Sequence, residues 1–165
     1  MQLPQGNNQT QSLVFSWQQQ GLADKALVDR ALQYFREQAF FYTLEPPLLD
    51  GDRIDDFLFN SRQGFCEHYA ASFVVMMRFA GIPARVVLGY QGGQLNPYDN
   101  SLAVRQLDAH VWAEVLIDGR WLRVDPTAAV APERILQSSE QSLSQDPSFC
   151  SQSRFARQKY QWFWL

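Results

Sequence analysis

Cysteine and histidine are scarce in this chain of 165 residues, which has two of each. The cysteines, Cys66 and Cys150, show no C-x-x-C or comparable metal spacing, so no metal site is expected. A bridge between them is not expected either, since Cys150 falls in a Ser/Gln-rich tail and Cys66 at the start of an apolar run. Basic stripes are lacking and the net charge is −3, which argues against a nucleic-acid partner. Long apolar runs are lacking too. The best of them, Tyr69 to Met77, is cut by Arg78, well short of the ~20 residues of a membrane span. The N-terminus is polar and rich in Gln and Asn, and does not read as a signal peptide. No internal repeat is evident.

What the chain has is a core. Apolar residues make up 46% of it, with 12 Phe, 6 Tyr and 5 Trp, enough for one domain with tails. Residues 1–23 read as a polar N-terminal segment, frayed to about residue 12 and then forming a short helix from Leu13 to Gln20. Residues 24–136 carry the folded pattern, and 137–165 are a Ser/Gln-rich linker with a basic, aromatic end. Asp24 looks like an N-cap, followed by Leu27, Ala31, Tyr34 and Phe35 at helical spacing to about Gln38. Phe40 to Leu44 is β-prone and is stopped by Pro46-Pro47. The acidic residues Asp50, Asp52, Asp55 and Asp56 do not fit a calcium loop, because Ile54 and Asp55 occupy its third-ligand and glycine positions. Helix-capping carboxylates in a solvated loop are the plainer reading.

The run from Cys66 to Ala80 is apolar on most sides, as in a buried helix, with Gly81 and Pro83 as its stop. Ala84 to Tyr90 reads as a strand, Gln91 to Asn100 as a surface loop and Ser101 to Gln106 as another strand. Ala109 to Ile117 and Arg120 to Asp125 are strands joined by Asp118-Gly119, a strong two-residue hairpin signal. That turn sets the register. Ile117 faces Arg120, so Glu114 faces Arg123 and Trp112 faces Asp125. His110 shares the face of Trp112 by alternation and becomes a diagonal neighbour of Asp125, with Cβ atoms roughly 7 Å apart. A purely structural reading makes this a surface His–Asp pair beside a Glu114–Arg123 salt bridge.

A cysteine at a helix N-terminus argues for more. The helix end supplies roughly half a positive charge, and a nearby imidazolium supplies another. Together they are expected to lower the Cys66 pKa, while a carboxylate on the second ring nitrogen orients the histidine. The Cys66 amide offers one oxyanion donor. His68 is a rival base, but two residues along the helix it points elsewhere. Glu67, His68, Tyr90 and Trp112 are candidates to line the cleft.

Four ordered stretches then carry a resemblance. They are Gly64-Phe65-Cys66-Glu67-His68-Tyr69-Ala70, the run Ala80 to Tyr90, the run Asp108 to Val115, and Trp121 to Thr127. Together they resemble the transglutaminase-like core over about residues 25–136, and within it the bacterial membrane-anchored, TgpA-like subgroup. The resemblance implies an α+β, papain-like fold with the nucleophile helix packed on an antiparallel sheet. It also implies a Cys66–His110–Asp125 triad, no cofactor, and a periplasmic domain of an inner-membrane protein whose membrane segments lie outside this chain. The activity expected is acyl transfer from glutamine side-chain amides through a thioester on Cys66, giving crosslinks with an amine or deamidation with water. The substrate would be a protein or peptide amide, including one linked to the cell wall. The alternatives are amide hydrolysis of peptide or cell wall by the same triad, and a non-catalytic binding module.

Overall fold

The computed structural model describes residues 6–96 and 98–132. Helix α1 spans Asn8–Gln18 and α2 spans Asp24–Glu37. The short strand β1, Phe41–Tyr42, pairs in parallel with β2, Gln63–Gly64. Between them lie the short helix α3, Arg53–Asp55, and a π-helical turn, Asp56–Ser61. Helix α4, Cys66–Phe79, leads into strand β3, Ala84–Tyr90. Strands β4, Gln94–Leu95, and β5, Leu102–Ala103, form a small hairpin. Strands β6, Ala109–Ile117, and β7, Arg120–Val124, complete an antiparallel sheet of order β3-β6-β7.

The molecule is organised around α4, and its composition explains why. A helix apolar all round must be covered all round. One side packs on the sheet, against Ala84, Ala113 and Val115; the other meets Val14 and Trp17 of α1 and Leu27, Ala31 and Phe35 of α2. Tyr69, Phe73, Met76 and Met77 have no exposed surface. Burying each such side chain contributes about 1.5–3 kcal/mol before entropy is counted. Gly81 ends the helix at φ +82°, and the Ile82 N–H donates to the Met77 carbonyl at 2.9 Å. This is the left-handed cap that favours glycine.

Several expectations need correction. The chain is helical from Asn8 rather than Leu13, because its first turn is capped from a distance. Buried Asp55 accepts the Gln9 and Thr10 backbone N–H groups, each at 2.9 Å, and the Asp52 carboxylate accepts the Asn7 N–H at 3.1 Å. The acidic loop is therefore a cap, as read from the sequence, but Asp55 itself is buried rather than solvated. Asp24 is the first helical residue of α2, and Ala23 occupies the N-cap position. The stretches taken as a loop and then a strand, 91–100 and 101–106, contain the β4–β5 hairpin, and the chain then makes a 3-10 turn over Gln106–Asp108. The expectations for Cys150, the 137–153 linker and the tail fall outside the described residues.

The main hairpin has the register that Asp118-Gly119 demands. Ile117 pairs with Arg120, and the ladder runs to Ala113 with Val124. Both turn residues have positive φ, 49° and 74°, as a tight hairpin turn requires. Glu114 lies opposite Arg123, but its salt bridge goes to Arg85 on the other neighbouring strand, at 2.7 Å. Arg123 instead lies over the ring of Trp112.

Candidate active site

Cys66 is the first residue of α4, after the extended N-cap Phe65. Glycine at 64 is required by packing, since a Cβ there would lie 2.7 Å from the His68 ring. His68 accepts the Phe65 N–H on Nδ1 at 3.3 Å and packs between Phe57 and Phe65. It reaches back to the N-cap and supports the helix start.

Cys66 is a free thiol only 9% exposed. It packs with Phe65, Ala70 and Val111, and Tyr42 and Leu44 close over that cluster. Thr43 holds this cover in place by donating its N–H to the Gly64 carbonyl at 2.8 Å. Burial pushes the thiol up to about 11, against an ordinary value of 9.0. The Val111 and Glu67 amide N–H groups pull it down, while the Glu67 and Asp125 carboxylates push it up. The lowering expected from the helix end is thus outweighed by desolvation, which favours the protonated thiol.

The second half of the site comes from the sheet. His110 Nε2 and Asp125 Oδ2 lie 2.7 Å apart, both side chains about nine-tenths buried. An ionised carboxylate only accepts, so in this pair Nε2 is the donor, which leaves Nδ1 directed away from Asp125. Asp125 directly follows β7 and caps the 3-10 turn Pro126–Ala129, its Oδ1 accepting the Thr127 N–H at 3.2 Å. Val111, which packs in one cluster with Cys66, directly follows His110. The fold thus brings the helix start to the strand residue beside the imidazole. Trp112 shares the His110 face, with ring centroids 6.3 Å apart, whereas Tyr90 pairs with Ala109 at the end of β3 and is 55% exposed. Glu67 stands beside the sulfur. A cavity of about 420 Å³ between α2 and the β6–β7 hairpin reaches Asp125, but neither Cys66 nor His110 lines it.

The sequence reading missed the Val111 amide and the Tyr42–Leu44 cover. The cover has a weak signal, an apolar segment before Pro46-Pro47, but nothing local says that it packs against the Cys66 cluster. Among the described residues no cluster of His, Cys, Asp or Glu has metal-binding geometry.

Residues 12–126 match the sequence pattern of the transglutaminase-like superfamily. The chain belongs to that superfamily. It is 47% identical over 162 residues to a protein-glutamine gamma-glutamyltransferase of Pseudomonas aeruginosa, covering 97% of this chain and 24% of that protein. It is also 36% identical over 102 residues to the uncharacterized protein YebA of Bacillus subtilis, covering 57% of this chain and 14% of YebA. The crystal structure of the periplasmic domain of TgpA from Pseudomonas aeruginosa superposes with a TM-score of 0.81 at 51% identity, over 85% of this chain and 49% of that one. A Cytophaga hutchinsonii protein at 22% identity, TM-score 0.55, covers 78% of this chain and 40% of its own and shares the fold. The α+β, papain-like architecture is that of the family. The chain spans about a quarter of the Pseudomonas enzyme and half of the crystallised domain.

Proposed function

We propose that this chain is the acyl-transfer domain of a periplasmic, membrane-anchored transglutaminase, with Cys66 as nucleophile, His110 as base and acid, and Asp125 as the group that orients it. The observation that carries the reading is the 2.7 Å His110–Asp125 hydrogen bond, with Val111, the residue after His110, packed in one cluster with Cys66. The relationship to the Pseudomonas protein-glutamine gamma-glutamyltransferase supports the reaction type, and the TgpA periplasmic domain supports the compartment.

The resting thiol is neutral, so the first step is a proton transfer. Nδ1 of His110 takes the thiol proton as the sulfur attacks a glutamine carboxamide carbon, and Asp125 balances the imidazolium that forms. The amide N–H groups at the start of α4 face the oxygen that becomes negative. His110 returns the proton to the leaving nitrogen, which departs as ammonia and leaves a thioester on Cys66. An amine, or water, attacks the thioester and gives its proton to His110, and the thiol is regenerated as the sulfur leaves. The substrate is a protein or peptide glutamine, including one linked to the cell wall.

The test is amine incorporation and ammonia release from a glutamine-rich protein by the wild-type chain and by Cys66→Ala. Both signals should disappear in the variant. Undiminished incorporation by Cys66→Ala would refute the assignment, and cleaved fragments without ammonia would replace it with amide hydrolysis.

A further inference from the structure

The solvent face of the sheet carries the same three-part unit twice. In one, the Arg85 guanidinium lies 4.2 Å from the Trp121 ring centre and its Nη2 pairs with the Glu114 carboxylate at 2.7 Å. In the other, Arg123 lies 4.2 Å from the Trp112 ring centre, and its Nη2 stands 3.7 Å from Asp125 Oδ2. The first unit touches nothing reactive. The second encloses the His110–Asp125 pair.

The geometry of the second unit is closed. Trp112 stacks toward His110, with the planes 23° apart. Its ring also lies across Gly89, the register partner of His110, so closely that a Cβ at 89 would come within 2.6 Å of it. The indole N–H is buried without a hydrogen-bond partner among the described residues, so stacking and packing alone hold the ring. Arg123 supplies the stacking partner on Trp112 and places a permanent cation beside the oxygen that accepts from His110. Asp125 is then fixed at both ends, by the Thr127 amide at Oδ1 and by His110 with Arg123 at Oδ2. A carboxylate held this way cannot rotate away from the imidazole, and a flat indole beside the ring limits its swing about Cβ–Cγ.

We propose that Arg123, acting through Trp112 and Asp125, is a positioning residue that locks His110 in the tautomer with its proton on Nε2, keeping Nδ1 open to the Cys66 proton. The idea rests on the acyl-transfer reading, but its main test does not need turnover. Arg123 touches no reacting atom. Its contribution is geometric and electrostatic, and half of its side chain is in water, so a moderate effect is expected.

The experiment is nitrogen-15 spectroscopy of the wild-type chain labelled at histidine, which has only two histidines and so two pairs of ring-nitrogen signals, with His68→Gln to assign them. Wild type and Arg85→Gln should both show His110 as a single Nε2–H tautomer. Arg123→Gln should show mixed tautomers, with kcat lowered on the order of tenfold and KM within about twofold. Arg123→Lys, which keeps the charge but not the flat stack, should restore part of both. Gly89→Ala should mimic Arg123→Gln by displacing Trp112. The proposal is overturned if Arg123→Gln keeps a pure Nε2–H tautomer, or if Arg85→Gln disturbs His110 equally. It is also overturned if thermal stability falls without any change in the tautomer. If no variant, wild type included, shows transfer activity, the functional reading fails while the tautomer result still decides the role of Arg123.

Discussion

The two halves of the site are built by opposite means. The helix half, around Cys66, is apolar and sealed: Phe65, Ala70, Val111, Tyr42 and Leu44 surround a thiol that burial keeps protonated. The sheet half is polar, with Asp125 held by hydrogen bonds to His110 and the Thr127 amide. In the proposed mechanism the sheet half is in place before substrate arrives, whereas burial favours the protonated form of the nucleophile. Activation in that mechanism is a proton transfer between the halves.

The largest break in this comparison comes from the sheet half. Asp125→Asn keeps the shape but presents an amide that can donate to His110 and favour the wrong tautomer. kcat should fall on the order of 10³-fold with the fold intact. Steady-state kinetics beside circular dichroism would check this; a fall under tenfold would mean that His110 does not depend on Asp125.

The helix half makes its own prediction through pH. The folded protein holds the Cys66 proton up to about 11, while the unfolded chain loses it near 9.0. Below pH 9 both states keep the proton and this residue contributes no pH dependence. As pH rises from 9 to 11, only the unfolded state gains by ionising, so stability falls by about 2–3 kcal/mol relative to Cys66→Ala. Urea midpoints of the two proteins across that range should diverge, and parallel curves would show that the thiol is not buried as described.

A smaller effect sharpens the role of the cover. Leu44→Ala should thin the packing around Cys66, raise the iodoacetamide rate severalfold at pH 8, and move its rise with pH down from 11 toward 9. The smallest effect concerns His68. His68→Ala removes the acceptor for the Phe65 N–H and should cost about 1 kcal/mol of stability, with little change in the pH dependence of turnover. A loss of activity as deep as that of His110→Ala would reinstate His68 as the base.

The same contrast explains what was legible in the sequence. The His110–Asp125 pair follows from a two-residue turn and strand alternation, and both are local rules. Cys66 at a helix start is equally local, since Gly81 and the apolar run fix the helix. Long-range choices were not readable. Glu114 had two possible arginine partners, and which it takes depends on β3 lying beside β6. Helix α1 lacks a capping side chain of its own because Asp55, more than forty residues away, supplies the acceptor. The thiol's ionisation was misjudged for the same reason. The helix end that lowers it is visible in sequence, whereas the Tyr42–Leu44 cover that helps bury it becomes visible only once the chain has folded.

The most direct test of the account is intact-mass analysis of the chain mixed with a glutamine peptide in the absence of added amine. An adduct equal to the peptide minus ammonia should form on Cys66, be released by hydroxylamine and be absent from Cys66→Ala. An adduct that persists in Cys66→Ala, or that maps to another residue, would contradict it.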